Sequence, residues 1–158
     1  MASTVRGREW LDRKKTDLSL VTIRNFVYPQ DYTSVISLWK TAGDGVHVRS
    51  SDNPDEIEKK LRRDPDLFLI AELDGEIVGT VMGGFDGRRG MMYHLAVAQD
   101  HRKQGIATQL VDELEKRLRL KGCIRYYLLV TSDNEPAIRF YEKRGWERME
   151  LFTYARDL

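Results

Sequence analysis

The 158-residue chain has few cysteines and histidines and no long hydrophobic run. Its one cysteine, Cys123, excludes an intramolecular disulfide and makes a thiolate zinc site untenable, so we expect a buried structural thiol. The histidines, His47, His94 and His101, match no metal-binding spacing, and we expect no metal. The longest mainly apolar run, residues 67–73, is far below the ~18 residues of a membrane span. These absences predict a cytoplasmic protein.

Excess charge of one sign is also missing, since 26 Lys and Arg oppose 25 Asp and Glu for a formal charge of +1. A chain so balanced has no general attraction for polyanions, and we expect neither nucleic acid nor a membrane as partner. The balance is not uniform, because residues 102–125 carry seven basic and three acidic side chains. The total therefore conceals one basic segment suited to a small anion.

The organisation of the chain predicts an arm followed by one domain. Residues 1–17 are polar and indicate an N-terminal arm, with a short docking helix around Trp10 as the alternative. Residues 18–158 contain no repeat or linker, and their length is sufficient for one hydrophobic core. We therefore treat 18–158 as a single domain.

Two β-rich runs, residues 67–73 and 76–84, are joined by Asp74-Gly75 and predict an antiparallel hairpin with a type I′ turn. Strand patterns at 91–97 and 124–131 enclose a helix with apolar residues at every fourth position, which predicts a parallel βαβ unit. Further predictions are a strand near Leu20, helices starting near Tyr32 and Ser51, a helix from Asn134 to Gly145, and a final strand containing Met149, Leu151 and Thr153. This order predicts an α+β domain with three α/β/α layers and a mixed, mostly antiparallel sheet.

The segment from Arg102 to Thr108 lies between a strand and that amphipathic helix. Backbone N–H groups at a helix start are unpaired and attract anions, and Gly105 lets the backbone approach a phosphate closely. The spacing matches neither the P-loop nor the dinucleotide fingerprint. The segment predicts a phosphate-binding turn of another kind.

Two motifs in this order resemble the GCN5-related N-acetyltransferase (GNAT) family. Residues 102–107 read R-x-x-G-x-A and are similar to the family's pyrophosphate motif, [QR]-x-x-G-x-[GA]. Residues 134–146 are similar to its N-x-x-A-x-x-x-Y-x-x-x-G-[FW] segment. The resemblance covers about residues 20–156 and implies the acyl-CoA N-acyltransferase fold, in which two central parallel strands, here 91–97 and 124–131, splay apart.

The resemblance also implies acetyl-CoA as co-substrate and an amine-bearing small molecule or protein amino group as acceptor, and it is compatible with a homodimer. It implies that the co-substrate binds along the end of one strand, on the turn and helix start that follow, and on the second motif. The residues concerned are Leu95, Ala96, Val97, Arg102, Lys103, Gln104, Gly105, Ile106, Ala107, Thr108, Asn134 and Tyr141.

Acetyl transfer to an amine needs a proton donor for the departing thiolate and a base for the amine. We predict Tyr141 as the general acid, because a phenol stays protonated at neutral pH; its alternative is a core residue. The strands before and after the helix lack the glutamate that many relatives use. His94 is our candidate base, against an ordinary strand histidine or ordered water assisted by Tyr93 or Glu72. Regular alternation would place Tyr93, not His94, beside Leu95 unless a bulge intervenes.

The sequence thus predicts an acetyl-CoA-dependent N-acetyltransferase that works by direct attack in a ternary complex. The missing carboxylate motivates a second interpretation, a noncatalytic acyl-CoA-binding sensor or interaction module on the same fold. A nucleic-acid protein using the basic residues 116–125 is disfavoured, because no aromatic platform accompanies the charges.

Overall fold

The computed structural model describes residues 17–43 and 45–158. Its sheet has the order β1-β2-β3-β4-β5, in which the first three pairings are antiparallel and β4 and β5 are parallel. The strands are β1 (Thr22–Asn25), β2 (Phe68–Leu73), β3 (Glu76–Phe85), β4 (Gly90–Val97) and β5 (Tyr126–Leu128). The predicted hairpin is confirmed as β2–β3, and its turn residues Asp74 and Gly75 have the positive φ values, 51° and 80°, of a type I′ turn.

In the described ranges, four α-helices lie between the strands or after them: α1 (Tyr32–Thr41), α2 (Pro54–Arg63), α3 (Ile106–Leu120) and α4 (Glu135–Lys143). α2 begins with proline and two acidic residues, and α4 begins after Asn134, whose side chain caps it by accepting the N–H of Ala137. Each helix was predicted from its sequence pattern and is confirmed. The strand–helix–strand order β4-α3-β5 gives the predicted parallel crossover.

The sheet separates two apolar clusters, which makes three layers. The fourfold spacing in α3 buries one face of that helix against β2, β3 and β4 (Ile106, Leu110, Leu114 and Leu118). These residues and the strand residues packed on them form the α3 cluster. On the other face, α1 and α2 cover strand residues whose side chains point away from α3 (Phe68, Ile70, Met82 and Ala96). Together with the buried residues of α1 and α2, these form the α1 cluster. The predicted fold class, an α+β domain with α/β/α layers and a mixed sheet, is confirmed.

The second parallel strand is shorter than predicted. The pattern at 124–131 predicts eight residues, whereas β5 contains only three, and its pairing with β4 ends at Met92↔Leu128. The pairing ends just before β4 bulges at His94 and Leu95, and a bulge disrupts the strand ladder locally.

The predicted final strand is wrong in the described structure. Residues 146–158 form no strand, and β5 remains the edge of the sheet. Leu151 and Phe152 are adjacent large apolar residues that are both exposed, so the alternation around Met149 offers no single face to bury.

The predicted arm, residues 1–17, and the alternative docking helix around Trp10 lie outside the described residues, apart from Asp17. Cys123 is buried, as expected, and its Sγ donates to the Arg125 carbonyl at 3.3 Å. No helix within the described ranges is long and apolar enough to cross a membrane.

Candidate active site

A gap opens in the sheet between β4 and β5. β5 pairs with Gly90, Met91 and Met92 only, while β4 continues to Val97 and pairs there with β3 alone. Within the described sheet, residues 93–97 therefore have no strand neighbour on the β5 side. This is the predicted splay of the two parallel strands, and it leaves a slot lined by backbone groups.

A β-bulge at His94 reverses which side chains at the end of β4 point to each face of the sheet. The pairing runs from Met82↔Tyr93 to Thr80↔Ala96, so two residues of β4, His94 and Leu95, lie opposite one of β3. His94 has a left-handed φ of 47°. Before the bulge Met92 packs in the α3 cluster, whereas after it Ala96 packs in the α1 cluster. The register expected from regular alternation is thus reversed, and Leu95 and Val97 face α3 while His94 faces α1.

Two residues on neighbouring elements hold the bulge in place. The imidazole of His94 stacks on the indole of Trp39 with centroids 4.2 Å apart. Trp39 Nε1 donates to Thr80 Oγ1 at 2.8 Å, and that hydroxyl donates to the His94 carbonyl at 3.0 Å. Trp39 and Thr80 are fully buried, so these bonds form away from water.

Asp52 is the polar partner of His94. Its Oδ1 lies 2.9 Å from His94 Nε2, and its Oδ2 accepts the backbone N–H of Arg49 at 2.9 Å. Burial raises the pKa of the Asp52 carboxyl, but the hydrogen bonds from His94 and Arg49 outweigh it and hold the pKa below its ordinary value. Asp52 is therefore an ionised carboxylate, and His94 Nε2 is the donor.

The predicted phosphate-binding turn connects β4 to α3. Gly105 precedes the helix with φ 92°, and Lys103 also has a left-handed φ, 58°. A Cβ at Gly105 would lie 2.9 Å from Leu18 Cδ1, so the turn packs closely under the chain that enters β1. Ile106 and Ala107 turn their side chains to the α3 cluster, while Gln104 donates to the Asp100 carbonyl. The helix start thus presents backbone amides, as expected.

Arg102 makes two contacts with backbone carbonyls, and its part in co-substrate binding stays a prediction. Its Nε donates to the Val97 carbonyl at 3.0 Å, and a terminal nitrogen donates to the Ala42 carbonyl after α1. The guanidinium thus joins the end of β4 to the end of α1. Arg102 and Lys103 are both exposed, so the turn presents two cations.

Asn134 and Tyr141 follow β5, the strand on the other side of the gap, at the start of α4 and within it. Asn134 Nδ2 is 3.0 Å from the position of a Cβ on Gly45, so the α1 and α4 loops meet there. Tyr141 packs on Phe140 and Trp146 and against the α3 cluster, the opposite face of the sheet from His94. Burial raises the pKa of Tyr141 to about 12, against a smaller lowering by Arg144. Tyr141 is thus packed among apolar side chains and still carries its phenolic proton at neutral pH.

Glu72 and Tyr93 are the two residues that we predicted could assist ordered water as the base. Glu72 accepts from Arg24 at 2.9 and 2.7 Å on the β1 side of the sheet, so it is engaged in an ion pair. Tyr93 is 46% exposed, and burial of its other half raises its pKa. Asp52 was missed, because the sequence indicates only a helix start there and carries no sign of its contact with His94. Within the described residues, no group of three or more His, Cys, Asp or Glu could hold a metal ion.

The sequence matches known proteins over most of its length. The family model described as Acetyltransferase (GNAT) family matches residues 32–146. An acetyltransferase of Pectobacterium atrosepticum is 45% identical over 129 residues, which cover 81% of this chain and 89% of that protein. An acetyltransferase of Sodalis glossinidius is 45% identical over 121 residues, covering 76% and 83%.

A solved structure shares the fold. The PaiA N-acetyltransferase of Thermoplasma acidophilum, in complex with coenzyme A, superposes with a TM-score of 0.74 at 19% identity. The match covers 84% of this chain and 92% of that one. At this identity the likeness concerns the fold alone.

Proposed function

The chain belongs to the GNAT family of acetyltransferases, and from this premise we propose that it transfers the acetyl group of acetyl-CoA to a primary amine. The observation that carries the proposal is the gap between β4 and β5, which opens beside a bulge bearing a histidine and beside a turn of backbone amides. The relative from Thermoplasma acidophilum was solved with coenzyme A, which supports a CoA thioester as the ligand of such a gap.

The residues around the gap fit acetyl-CoA. The backbone of Leu95, Ala96 and Val97 has no strand neighbour there and can pair with the amide groups of the pantetheine arm. The amides of residues 103–108 surround a glycine without a Cβ and suit the pyrophosphate, with Lys103 adding charge. Asn134, at the start of α4, closes the opposite side.

The proposed reaction is a direct attack. A neutral amine nitrogen forms a bond to the thioester carbon and gives one proton to His94, while amide groups near Val97 stabilise the oxyanion. The carbon–sulfur bond then breaks, and the electron pair leaves with the CoA sulfur, which takes a proton from Tyr141. The products are an N-acetyl amine and CoA, and solvent returns His94 and Tyr141 to their starting protonation states.

The positions of the two proton carriers support this assignment. His94 stacks on Trp39 in the α1 layer, and Tyr141 packs against the α3 cluster on the other face. A base on one face and an acid on the other suit an acceptor that enters from one side and a thiol that leaves on the other. We therefore assign the α1–α2 side to the acceptor amine.

The test has two steps. Thermal unfolding with and without acetyl-CoA should show stabilisation, because a ligand that binds the folded state alone raises its stability. CoA release is then measured against a panel of small amines and amino-terminal peptides, and we expect release with at least one of them. No shift at millimolar acetyl-CoA overturns the proposal; a shift without release from any amine indicates a noncatalytic acyl-CoA-binding protein instead.

A further inference from the structure

Asp52 lies at the end of a short 3-10 turn, Ser50–Asp52, immediately before α2. Its side chain is only 4% exposed, and it belongs to neither motif that indicates the co-substrate site. Both carboxylate oxygens have partners from different elements, the backbone N–H of Arg49 and the imidazole of His94 on β4. A buried carboxylate stays charged only with such directed partners, and one of the two partners here is the candidate base.

We propose that Asp52 is a positioning residue that fixes His94 as the Nε2–H tautomer and so presents Nδ1 to the proton of the acceptor amine. This inference rests on the proposed acetyltransferase function and assigns Asp52 as the residue that orients the proposed general base, His94. The geometry is that of a carboxylate–histidine pair in which the carboxylate orients the ring and stabilises the imidazolium that forms.

The protonation argument follows from the partners of Asp52. An ionised carboxylate only accepts hydrogen bonds, so the hydrogen between Asp52 and His94 belongs to Nε2. A neutral imidazole carries one N–H, which leaves the lone pair of Nδ1 to accept a proton. Nδ1 makes no hydrogen bond with other described residues, and the Trp39 stack restricts rotation of the ring.

Described residues from α1, from β3 and from the turn before α2 contact the pair. From α1, Trp39 contributes an uncharged ring, and the Tyr32 hydroxyl donates to the Asp52 carbonyl at 3.0 Å. From β3, Thr80 donates to the His94 carbonyl. Arg49 bonds to the carboxylate through its backbone N–H. Among these described contacts, the Asp52 carboxylate is the one charged group bonded to the imidazole.

The decisive substitution is Asp52→Asn. The Arg49 N–H needs an acceptor, so the amide oxygen of the variant turns toward Arg49 and its NH₂ group toward His94. His94 Nε2 must then accept, and the ring changes to the Nδ1–H tautomer, which cannot take the amine proton at Nδ1. We expect kcat to fall at least about 100-fold, with KM for acetyl-CoA unchanged within about twofold, because Asp52 lies away from the phosphate-binding turn.

Asp31 supplies a matched control. It too is buried, accepts a backbone N–H, from Val27 at 2.7 Å, and pairs with a basic side chain, Arg24. Asp31→Asn should lower stability by a similar amount and leave kcat within about twofold of the wild type. In a His94→Gln background, Asp52→Asn should cause no further loss, since both residues act through the same proton.

The tautomer gives a readout that does not depend on turnover. The chain has three histidines, and ¹⁵N NMR spectra of histidine-labelled protein can be assigned by comparison with His94→Gln. We expect Nε2–H at His94 in the wild type and Nδ1–H in Asp52→Asn. A wild-type Nδ1–H tautomer, or an Asp52→Asn variant with undiminished kcat, overturns the role of Asp52. If the tautomers are as expected but the wild type acetylates no amine, the proposed function is wrong and the positioning geometry stands.

Discussion

The indole N–H of Trp39 donates to the hydroxyl of Thr80 at 2.8 Å, and this hydroxyl passes its own hydrogen to the carbonyl of His94. One hydroxyl therefore links a helix, two strands and the bulge. The threonine is fully buried, so water cannot replace either bond. The geometry of His94 depends on this contact as well as on the bulge itself.

Thr80→Val should destabilise the protein by about 2 kcal/mol, because the isosteric change leaves the Trp39 N–H and the His94 carbonyl without partners. Urea unfolding measures the loss. Thr41→Val is the control, since Thr41 is exposed on α1 and its hydroxyl donates only to carbonyls of its own helix. Adding Trp39→Phe to Thr80→Val should cost less than the sum of the single changes; strict additivity would show that the bond is unimportant.

Gly105→Ala should raise KM for acetyl-CoA at least about tenfold, because a backbone shift at residue 105 would displace the amides that we propose to hold the pyrophosphate. A tenfold change corresponds to about 1.4 kcal/mol of binding free energy. Alanine is strained at φ 92°, and its Cβ would press on Leu18. Gly122→Ala, at the other end of α3, has similar strain at φ 84° but open space around it. Both variants should lose about 1 kcal/mol of stability in urea. An equal KM effect from both would count against a phosphate site at Gly105.

Tyr141→Phe should lower kcat about 100-fold while retaining the thermal shift with acetyl-CoA. The change removes the proposed proton donor and preserves the ring contacts with Phe140 and Trp146. Tyr126→Phe is the control, since that hydroxyl is engaged with Glu115 at 2.6 Å and has no assigned part in the reaction. Full turnover by Tyr141→Phe would make Tyr141 a core residue only.

Alkaline pH should destabilise the wild type more than Tyr141→Phe. The folded pKa of Tyr141 is about 12, above its ordinary value of 10.0, so its contribution is complete below pH 10 and is lost as the pH rises through 12. The two-unit difference corresponds to about 2–3 kcal/mol. Urea unfolding of both proteins from pH 9 to pH 12 measures it, and parallel curves would contradict the shift.

The sequence predicted those features that local patterns determine. Asp74-Gly75 specifies its turn, the fourfold apolar spacing specifies α3, and Asn134 marks the start of α4. The bulge was open to question because a histidine, not a glycine, occupies its left-handed position. Asp52 could not be linked to His94, since 42 residues separate them and only the packed layers bring them together.

The final strand failed for a related reason. Alternation at residues 149–153 describes a segment that could pair, but a strand also needs a neighbouring edge and a face to bury. The three residues of β5 provide little edge, and Leu151 and Phe152 are exposed. The final strand depended on a partner edge and a buried face, which its own sequence pattern does not describe.

The bonds from Trp39 to Thr80 and from His94 to Asp52 join positions 41 and 42 residues apart. Closing such long loops costs chain entropy before any contact compensates for it. The proposed base therefore assembles only after α1, the β2–β3 hairpin and β4 have docked, which places the proposed chemistry at the end of folding. Newly synthesised or refolding chains would acquire helices and strands first and their capacity for proton transfer last.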